Sequence, residues 1–333
     1  MQCLDNKYST TRRVTREKPK VNKSQAEENS LLLLPDGVGR HGEGGLRTEG
    51  YFKTSSSDAP LITVITVVSN GASFLEETIL SVIHQSYENV EYIVIDGGSI
   101  DDSVSIIQNH EHAIDYWVSE SDGGMYEALV KGFSVATGEV VCYINAGDLF
   151  YPKAFEVVAD NFSGNDIEWL TGLRSVCNEN NIITRVETPF RYKAKLIERG
   201  VYGKWLPYLQ QESTFWKRDL LKYVDFDVLS SLKLAGDYYL WCCFSKKTSV
   251  EVINSPLGIF KKHKGQLTES IEGYWSEVNE FVLNKNLLTI MDVCYEAFFW
   301  MLDASVRGKL VQNMWCFNSK QDKWICGADR RNL

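Results

Sequence analysis

Residues 61–68 read LITVITVV, and seven of these eight side chains are β-branched. A strand with one face in water alternates apolar and polar side chains. This run does not, which predicts a strand covered on both faces. Covering both faces takes helices above and below, and that narrows the fold to the α/β class with a mostly parallel sheet. The next residues supply the parts in order. Residues 72–85 place Phe74, Thr78, Ile79, Val82 and Ile83 at helical spacing. Residues 90–95 read as a second strand, and 99–109 as a helix with Ile100, Val104 and Ile107 turned inward. Residues 114–118, 125–136 and 140–144 continue as strand, helix and strand. Such alternation with short links predicts right-handed crossovers.

Three of these strands end in polar turns: Ser69-Asn70, Asp96-Gly97-Gly98-Ser99 and Asn145-Ala146-Gly147-Asp148. In a parallel sheet such turns share one edge, and open α/β sheets bind ligands outside the carboxyl ends of their strands. Asp122, in the Gly-bearing loop before residue 125, is expected to join them. The convergence predicts a nucleotide or another anionic ligand. Asp148 has two readings. It holds a hard divalent cation, Mg²⁺ or Mn²⁺, that in turn holds a diphosphate, or it caps a helix starting near Tyr151. Asp96 and Asp122 keep a plain turn-forming role as their alternative.

The 333 residues are 44% hydrophobic, with nine Trp, 16 Tyr and 15 Phe, enough for one large core or two smaller ones. A net charge of −9 argues against a nucleic-acid partner, whose phosphates are met by clustered Lys and Arg. The eight Cys show no CxxC or Cys/His metal spacing, and Cys242-Cys243 is a vicinal pair too strained for an easy disulfide. Thiols in a reducing, cytoplasmic compartment are expected. Residues 1–10 lack the apolar run of a signal peptide, and no stretch reaches the ~18 apolar residues of a membrane span.

The two ends read differently from the middle. Residues 1–58 are polar and mostly aperiodic, with a basic run of Arg12, Arg13, Arg16, Lys18, Lys20 and Lys23 and four consecutive Leu at 31–34. They predict a flexible arm that docks in places. The basic run either touches anionic lipid or is solvated. Past Phe150, residues 167–176 and 182–186 read as strands, and 204–216 gather aromatics around Gln210, Gln211, Glu212, Ser213 and Thr214. Leu234-Ala235-Gly236-Asp237 leads into an apolar helix at 238–244, with Asp237 at or near its amino end. A strand at 257–260 runs into Lys261-Lys262-His263-Lys264, and residues 272–311 are expected to be helical. The aromatic segments at 295–301 and 315–317 either rest on a membrane or pack in the core or a homodimer.

As an ordered set, several of these pieces resemble the family 2 glycosyltransferases of the GT-A fold. They are residues 63–70, Thr78-Ile79-Leu80-Ser81-Val82 ahead of Gln85-Ser86-Tyr87, residues 93–99, 119–132 and 144–148. Residues 211–218, Leu234-Ala235-Gly236-Asp237-Tyr238 and 260–266 are similar to the second half of a bacterial branch that builds surface polysaccharides. Gly44-Gly45-Leu46-Arg47 through Lys53 is similar to that branch's lead-in, so the resemblance spans 44–268. It implies a GT-A catalytic domain at 59–268, with a Rossmann-like nucleotide-sugar half at 59–150 and an acceptor half at 151–268, and a C-terminal helical extension at 269–333.

The resemblance also implies an activity. It is that of an inverting, metal-dependent glycosyltransferase of hexosyltransferase type, moving a sugar from a nucleotide-diphosphate sugar to a saccharide or lipid-linked acceptor. The product would be capsule, O-antigen or exopolysaccharide, made in the cytoplasm or peripherally at the inner face of the plasma membrane. Position by position, Thr66, Val68 and Asn70 meet the base, Asp96 the base or ribose, and Asp122 helps hold the nucleotide, with Gly98 and Asn145 completing that site. Asp148 is the metal carboxylate, and His263 a second ligand or a diphosphate contact. Asp237 is the general base, and Glu212 sits beside the sugar or acceptor. The plainer readings are an N-cap for Asp237, a buried structural acid for Glu212 and a surface His for His263. The chain departs from the pattern at Gly97 and Gly147, where a second acid is common, and at Val130, where Asn is common. Two other functions stay open: a non-catalytic GT-A-like nucleotide-binding scaffold and, from Ile95-Asp96-Gly97-Gly98-Ser99, a Rossmann-type methyltransferase.

Overall fold

The computed structural model describes residues 1–19, 32–37, 39–189, 191–266, 269–284, 287–302, 306 and 314–326. Lys20, Lys23, Leu31 and Thr268 lie outside the described residues. The chain forms two compact units, Met1–Asn165 with Trp216–Lys233, and Asp166–Phe215 with Leu234–Leu333. Each is described by itself.

In the first unit the strand order is β1 (Arg40–Gly44), β4 (Tyr116–Glu120), β3 (Val90–Asp96), β2 (Ile62–Val68), β5 (Val140–Asn145) and β9 (Thr214–Lys217). All seven residues of β2 are buried, as its unbroken apolar run requires. β2 pairs in parallel with β3 and β5, and β3 with β4; β1 and β9 close the ends antiparallel. The registers matter for the site. Val68 lies opposite Asp96, Asp96 opposite Ser119, and Val67 opposite Asn145, so these strand ends stop level. Helices α1 (Ala72–Ile83), α2 (Ser103–Asn109) and α3 (Met125–Val135) make the crossovers, and α4 (Ala154–Phe162) follows the two-residue β6 (Leu149–Phe150). Gly132 lets α3 lie close on the sheet: a Cβ there would stand 2.6 Å from Ile65 Cγ2. Phe133 of α3 packs on Trp216 and on Phe226 of the short α6 (Phe226–Ser231), with ring centroids 6.2 Å apart in both pairs.

One expectation changes here, and the places where the arm docks are visible. Described residues of 1–58 pack into this unit. Ser9, Thr10 and Thr11 are buried, with the Ser9 hydroxyl donating to Val82 O at 3.0 Å and the Thr10 hydroxyl to Ala113 O at 2.7 Å. These are carbonyls near helix ends, which need outside donors. The polar composition that suggested a loose arm is what lets it dock. Further on, Arg47 pairs with Glu91 at 2.5 Å and Lys53 with Asp115, and all four side chains are buried. Ile100, expected inside a helix, is 92% exposed, because α2 starts only at Ser103.

In the second unit, β7 (Trp169–Cys177) pairs in parallel with β10 (Glu251–Pro256) and β11 (Gly258–Lys261), and antiparallel with β8 (Ile183–Glu187). Trp169 stacks on Trp241 at 5.5 Å and meets Phe244 edge-on at 5.6 Å, so α7 (Gly236–Ser245) contributes to this core. The other helices are α5 (Ala194–Ile197), α8 (Ile271–Phe281) and α9 (Leu287–Met301). The expected helix to residue 311 is corrected in part: α9 ends at Met301, residues 303–305 and 307–313 lie outside the described residues, and the chain resumes as a hairpin. Its strands are β12 (Met314–Asn318) and β13 (Lys323–Cys326), with Phe317 opposite Trp324 and β12 parallel to β10. All eight cysteines are thiols, none joined in a disulfide.

Candidate active site

In the first unit the turns after β2 and β3 are tied to each other. Gly97 N–H donates to Val68 O at 2.8 Å. Asn70, at φ 52°, donates its N–H to Ser99 Oγ at 2.7 Å and accepts from Ile100 N–H on Oδ1 at 3.0 Å. Gly71 N–H reaches Ser103 Oγ at 3.0 Å and Ala72 N–H reaches Asp101 Oδ2 at 3.0 Å. The first amides of α1 are thus capped from the neighbouring turn, since Gly71 has no side chain to do it. Burial works against the Asp101 charge, but its hydroxyl and amide donors outweigh it and hold the carboxyl below its ordinary range.

Asp96 is fully buried, and its carboxylate is saturated. Oδ2 accepts from Gly98 N–H, Ser99 N–H and Ser119 Oγ, and Oδ1 from Ser99 Oγ, at 3.1, 2.9, 2.6 and 2.5 Å. A carboxylate offers about four lone-pair sites. In this conformation Asp96 builds the turn, and contact with a base or ribose requires exchanging one of these donors. Thr66 is likewise inside the sheet, its hydroxyl 3.0 Å from Tyr92 OH. Val68 is buried at the strand end.

Asp122 arrives from the β4–α3 loop. A Cβ on Gly97 would stand 2.8 Å from Asp122 Oδ2, so a side chain there would have to displace the Asp122 carboxylate. Gly98 has φ 76°, a left-handed conformation. Burial pushes the Asp122 carboxyl above its ordinary range, against the pull of Gly124 N–H and Lys131. Two residues that sequence reasoning passed over hold the loop: Glu127 Oε2 accepts from Gly123 N–H at 2.8 Å, and Lys233 Nζ donates to Gly123 O at 2.6 Å.

The turn after β5 completes this edge. Asn145 Oδ1 is buried without a hydrogen-bond partner. Gly147 (φ 115°) donates to Thr78 Oγ1 at 2.8 Å, and that hydroxyl donates to Asp148 O at 2.9 Å. Asp148 is not a helix cap. The next helix, α4, starts at Ala154 with Lys153 in the N-cap position and no side-chain cap. Among the described residues no three of His, Cys, Asp and Glu gather as a metal cage. Asp148 is buried, and its main-chain N–H donates to Asn145 O at 3.1 Å.

In the second unit, Asp237 lies in the first turn of α7, while Ala235 takes the N-cap position. Its Oδ1 accepts from Tyr238 N–H at 2.7 Å, and Tyr274 OH stands 3.1 and 3.4 Å from the two carboxyl oxygens. Burial pushes its pKa up to about 6, against these donors. Glu212 is buried in a single 3-10 turn at Gln211–Ser213, and Gly258 passes so close that a Cβ there would stand 1.9 Å from Glu212 O. His263 follows β11, with its N–H on Gln266 Oε1 at 3.0 Å and Nδ1 2.9 Å from Lys264 O. The structure thus brings Asn70, Asp96, Gly98, Asp122, Asn145 and Asp148 to the strand-end turns of one unit and places Asp237, Glu212 and His263 in the other.

Residues 63–223 match the family model described as Glycosyl transferase family 2. An uncharacterized glycosyltransferase of Rickettsia typhi is 27% identical over 229 residues, 66% of this chain and 71% of that protein. One of Mycobacterium tuberculosis is 40% identical over 95 residues, 28% of this chain and 36% of that protein. Among solved structures, S. aureus TarS 1-349 in complex with UDP-GlcNAc aligns with a TM-score of 0.52 at 15% identity, over 76% of this chain and 70% of that one. That likeness speaks to the fold alone. The methyltransferase alternative falls on the family match and on the Asp96 turn, whose glycines answer to Asp122 and to a left-handed backbone. The chain therefore carries a family 2 glycosyltransferase domain on the GT-A fold.

Proposed function

We propose that the protein is an inverting, divalent-cation-dependent hexosyltransferase that moves a sugar from a nucleoside-diphosphate sugar to a saccharide or lipid-linked acceptor of a bacterial surface polysaccharide. The observation that carries this is the acidic turn after β5. Asp148 stands at the carboxyl end of a buried parallel strand, beside the unpartnered Asn145 oxygen, with no helix to cap. The donor reading draws support from the S. aureus neighbour solved with UDP-GlcNAc.

The roles follow from charge. The strand-end turns bind the nucleotide through main-chain groups around Asn70 and Gly98, with Asp122 and Asn145 beside them. Asp148 would hold the cation, which when bound neutralises charge on the leaving diphosphate. The acceptor hydroxyl attacks the anomeric carbon, the carbon–oxygen bond to the diphosphate breaks, and the hydroxyl proton passes to Asp237. A carboxyl with a pKa of about 6 is ionised at neutral pH yet more basic than an ordinary Asp. Glu212 and His263 stand as acceptor-side and phosphate-side contacts. Among the described residues no helix is long and apolar enough to cross a membrane. Tyr295, Phe298 and Met301, exposed on α9, are the contact this reading offers to a membrane carrying the acceptor, and liposome flotation tests that point.

The main test is calorimetry with UDP, with and without Mn²⁺, followed by a screen of nucleotide sugars for sugar transfer, with the product anomer read by NMR. Nucleotide binding strengthened by Mn²⁺ and an inverted product support the proposal. Binding without turnover of any donor would leave the scaffold reading in its place.

A further inference from the structure

Helix α8 lies beyond the residues the family model matches, yet it reaches the proposed base. Tyr274 OH stands 3.1 and 3.4 Å from the two Asp237 oxygens. One helical turn further on, Glu277 Oε2 accepts from Leu234 N–H at 2.8 Å and from Ala235 N–H at 2.9 Å. Residues three apart share a helix face, so one surface of α8 holds both the carboxylate and the stretch of chain that delivers it. Gly273 is pressed against the same segment: a Cβ there would stand 2.8 Å from Leu234 Cδ1. Trp275 meets the ring of Tyr238 edge-on at 6.1 Å, and Tyr274 meets that of Tyr208 at 6.2 Å. Ala235 has no side-chain cap to offer α7, and the Glu277 carboxylate holds the two amides just ahead of that helix, those of Leu234 and Ala235.

We propose that α8 is a positioning element for catalysis, in which Tyr274 orients the Asp237 carboxylate and Glu277 fixes residues 234–235 that carry it. Asp237 is then set for the acceptor hydroxyl before any acceptor arrives, which lowers the entropic cost of reaching reactive geometry. This rests on reading Asp237 as the base.

Among the groups facing Asp237 are Tyr274 and Glu277 from α8, Tyr238 and Cys242 from α7, and Tyr208. Burial raises Tyr208, Tyr238 and Cys242 above their ordinary values, so these stay neutral near pH 6. Two groups of α8 act on the carboxylate in opposite directions. The Tyr274 hydroxyl favours the ionised carboxylate, and the Glu277 charge disfavours it.

The test is a ¹³C NMR titration of side-chain-labelled aspartates in the full-length protein, with the Asp237 signal assigned by its absence from Asp237→Asn. The wild-type signal should titrate near pH 6. Tyr274→Phe should move it up, and Glu277→Gln down, each by roughly half a unit or more. Shifts of opposite sign together with a fall in kcat at unchanged nucleotide affinity support the positioning role, and an unmoved midpoint in both variants overturns the proposal. Should Tyr274→Phe fail to fold by circular dichroism, Glu277→Gln decides: a downward shift supports the assignment and no shift overturns it. Turnover of Asp237→Asn separates the two failures. Sugar transfer that persists there removes the base reading, whereas lost transfer with unmoved titrations removes only the role of α8.

Discussion

The strand-end turns of the first unit and the Asp237 environment of the second hold their acids in different ways. In the turns, the work is spread over many weak bonds. Asp96 has four donors, and Asn70, Gly71 and Ala72 are each tied to the next turn by a separate bond. Asp237 is met by a neighbouring amide and a tyrosine hydroxyl, in a setting that raises its pKa. A binding turn has to hold one shape, and redundancy serves that. A proton acceptor has to stay basic, and each added donor would make it a weaker base.

This contrast predicts its own largest effect. Asp237→Asn should lower sugar transfer by about 10²-fold or more while leaving nucleotide affinity nearly unchanged, because the amide that replaces the carboxylate cannot take the proton. In the wild type, kcat should rise with pH through about 6 and level off above, since the carboxyl must be ionised to accept the proton. A rate independent of pH across that midpoint would break the assignment.

How much of each region the sequence disclosed follows from the same difference. The strand ends were legible because the runs at 61–68, 90–95 and 140–144 have no face for water and their polar turns follow at once. Asp148 and Asp237 were likewise visible at element ends. The ties between turns were not, because they join residues 29 positions apart, such as Asn70 to Ser99 and Ala72 to Asp101. Ile100 misled for that reason: with Asp101 turned toward Ala72, the helix begins later and Ile100 is left in water. Ser9 and Thr10 read as tail because hydroxyls bury themselves by donating to carbonyls, which leaves no apolar period. Tyr274 and Glu277 carried no signal, since only α8 docking on residues 234–237 gives them a role.

The next effect should fall on the metal. Asp148→Ala should abolish the enhancement of UDP binding by Mn²⁺, while the main-chain bond from Thr78 to Asp148 O stays in place. An equal enhancement in the mutant, measured by calorimetry, would move the cation elsewhere.

Gly97→Ala probes how tightly the turns are closed. The new methyl would stand 2.8 Å from Asp122 Oδ2, and overpacking of this kind costs about 1–3 kcal/mol. Adding Asp122→Ala should recover most of that stability in a double-mutant cycle followed by thermal melts. If the two losses simply add, the glycine does not answer to Asp122.

The smallest effect should come from Ser119→Ala. It removes the 2.6 Å hydroxyl donor from Asp96 Oδ2 and leaves that oxygen with the amides of Gly98 and Ser99. A hydrogen bond to a carboxylate is worth about 1.5–3 kcal/mol, and its loss costs less when the acceptor keeps other donors. The turn should therefore hold its shape, and UDP affinity should stay within about 5-fold of wild type. A redundant turn predicts that small number, whereas a drop as large as the one at Asp237 would mean that Ser119 is as indispensable to binding as Asp237 is to transfer. The contrast between the two settings would then fail.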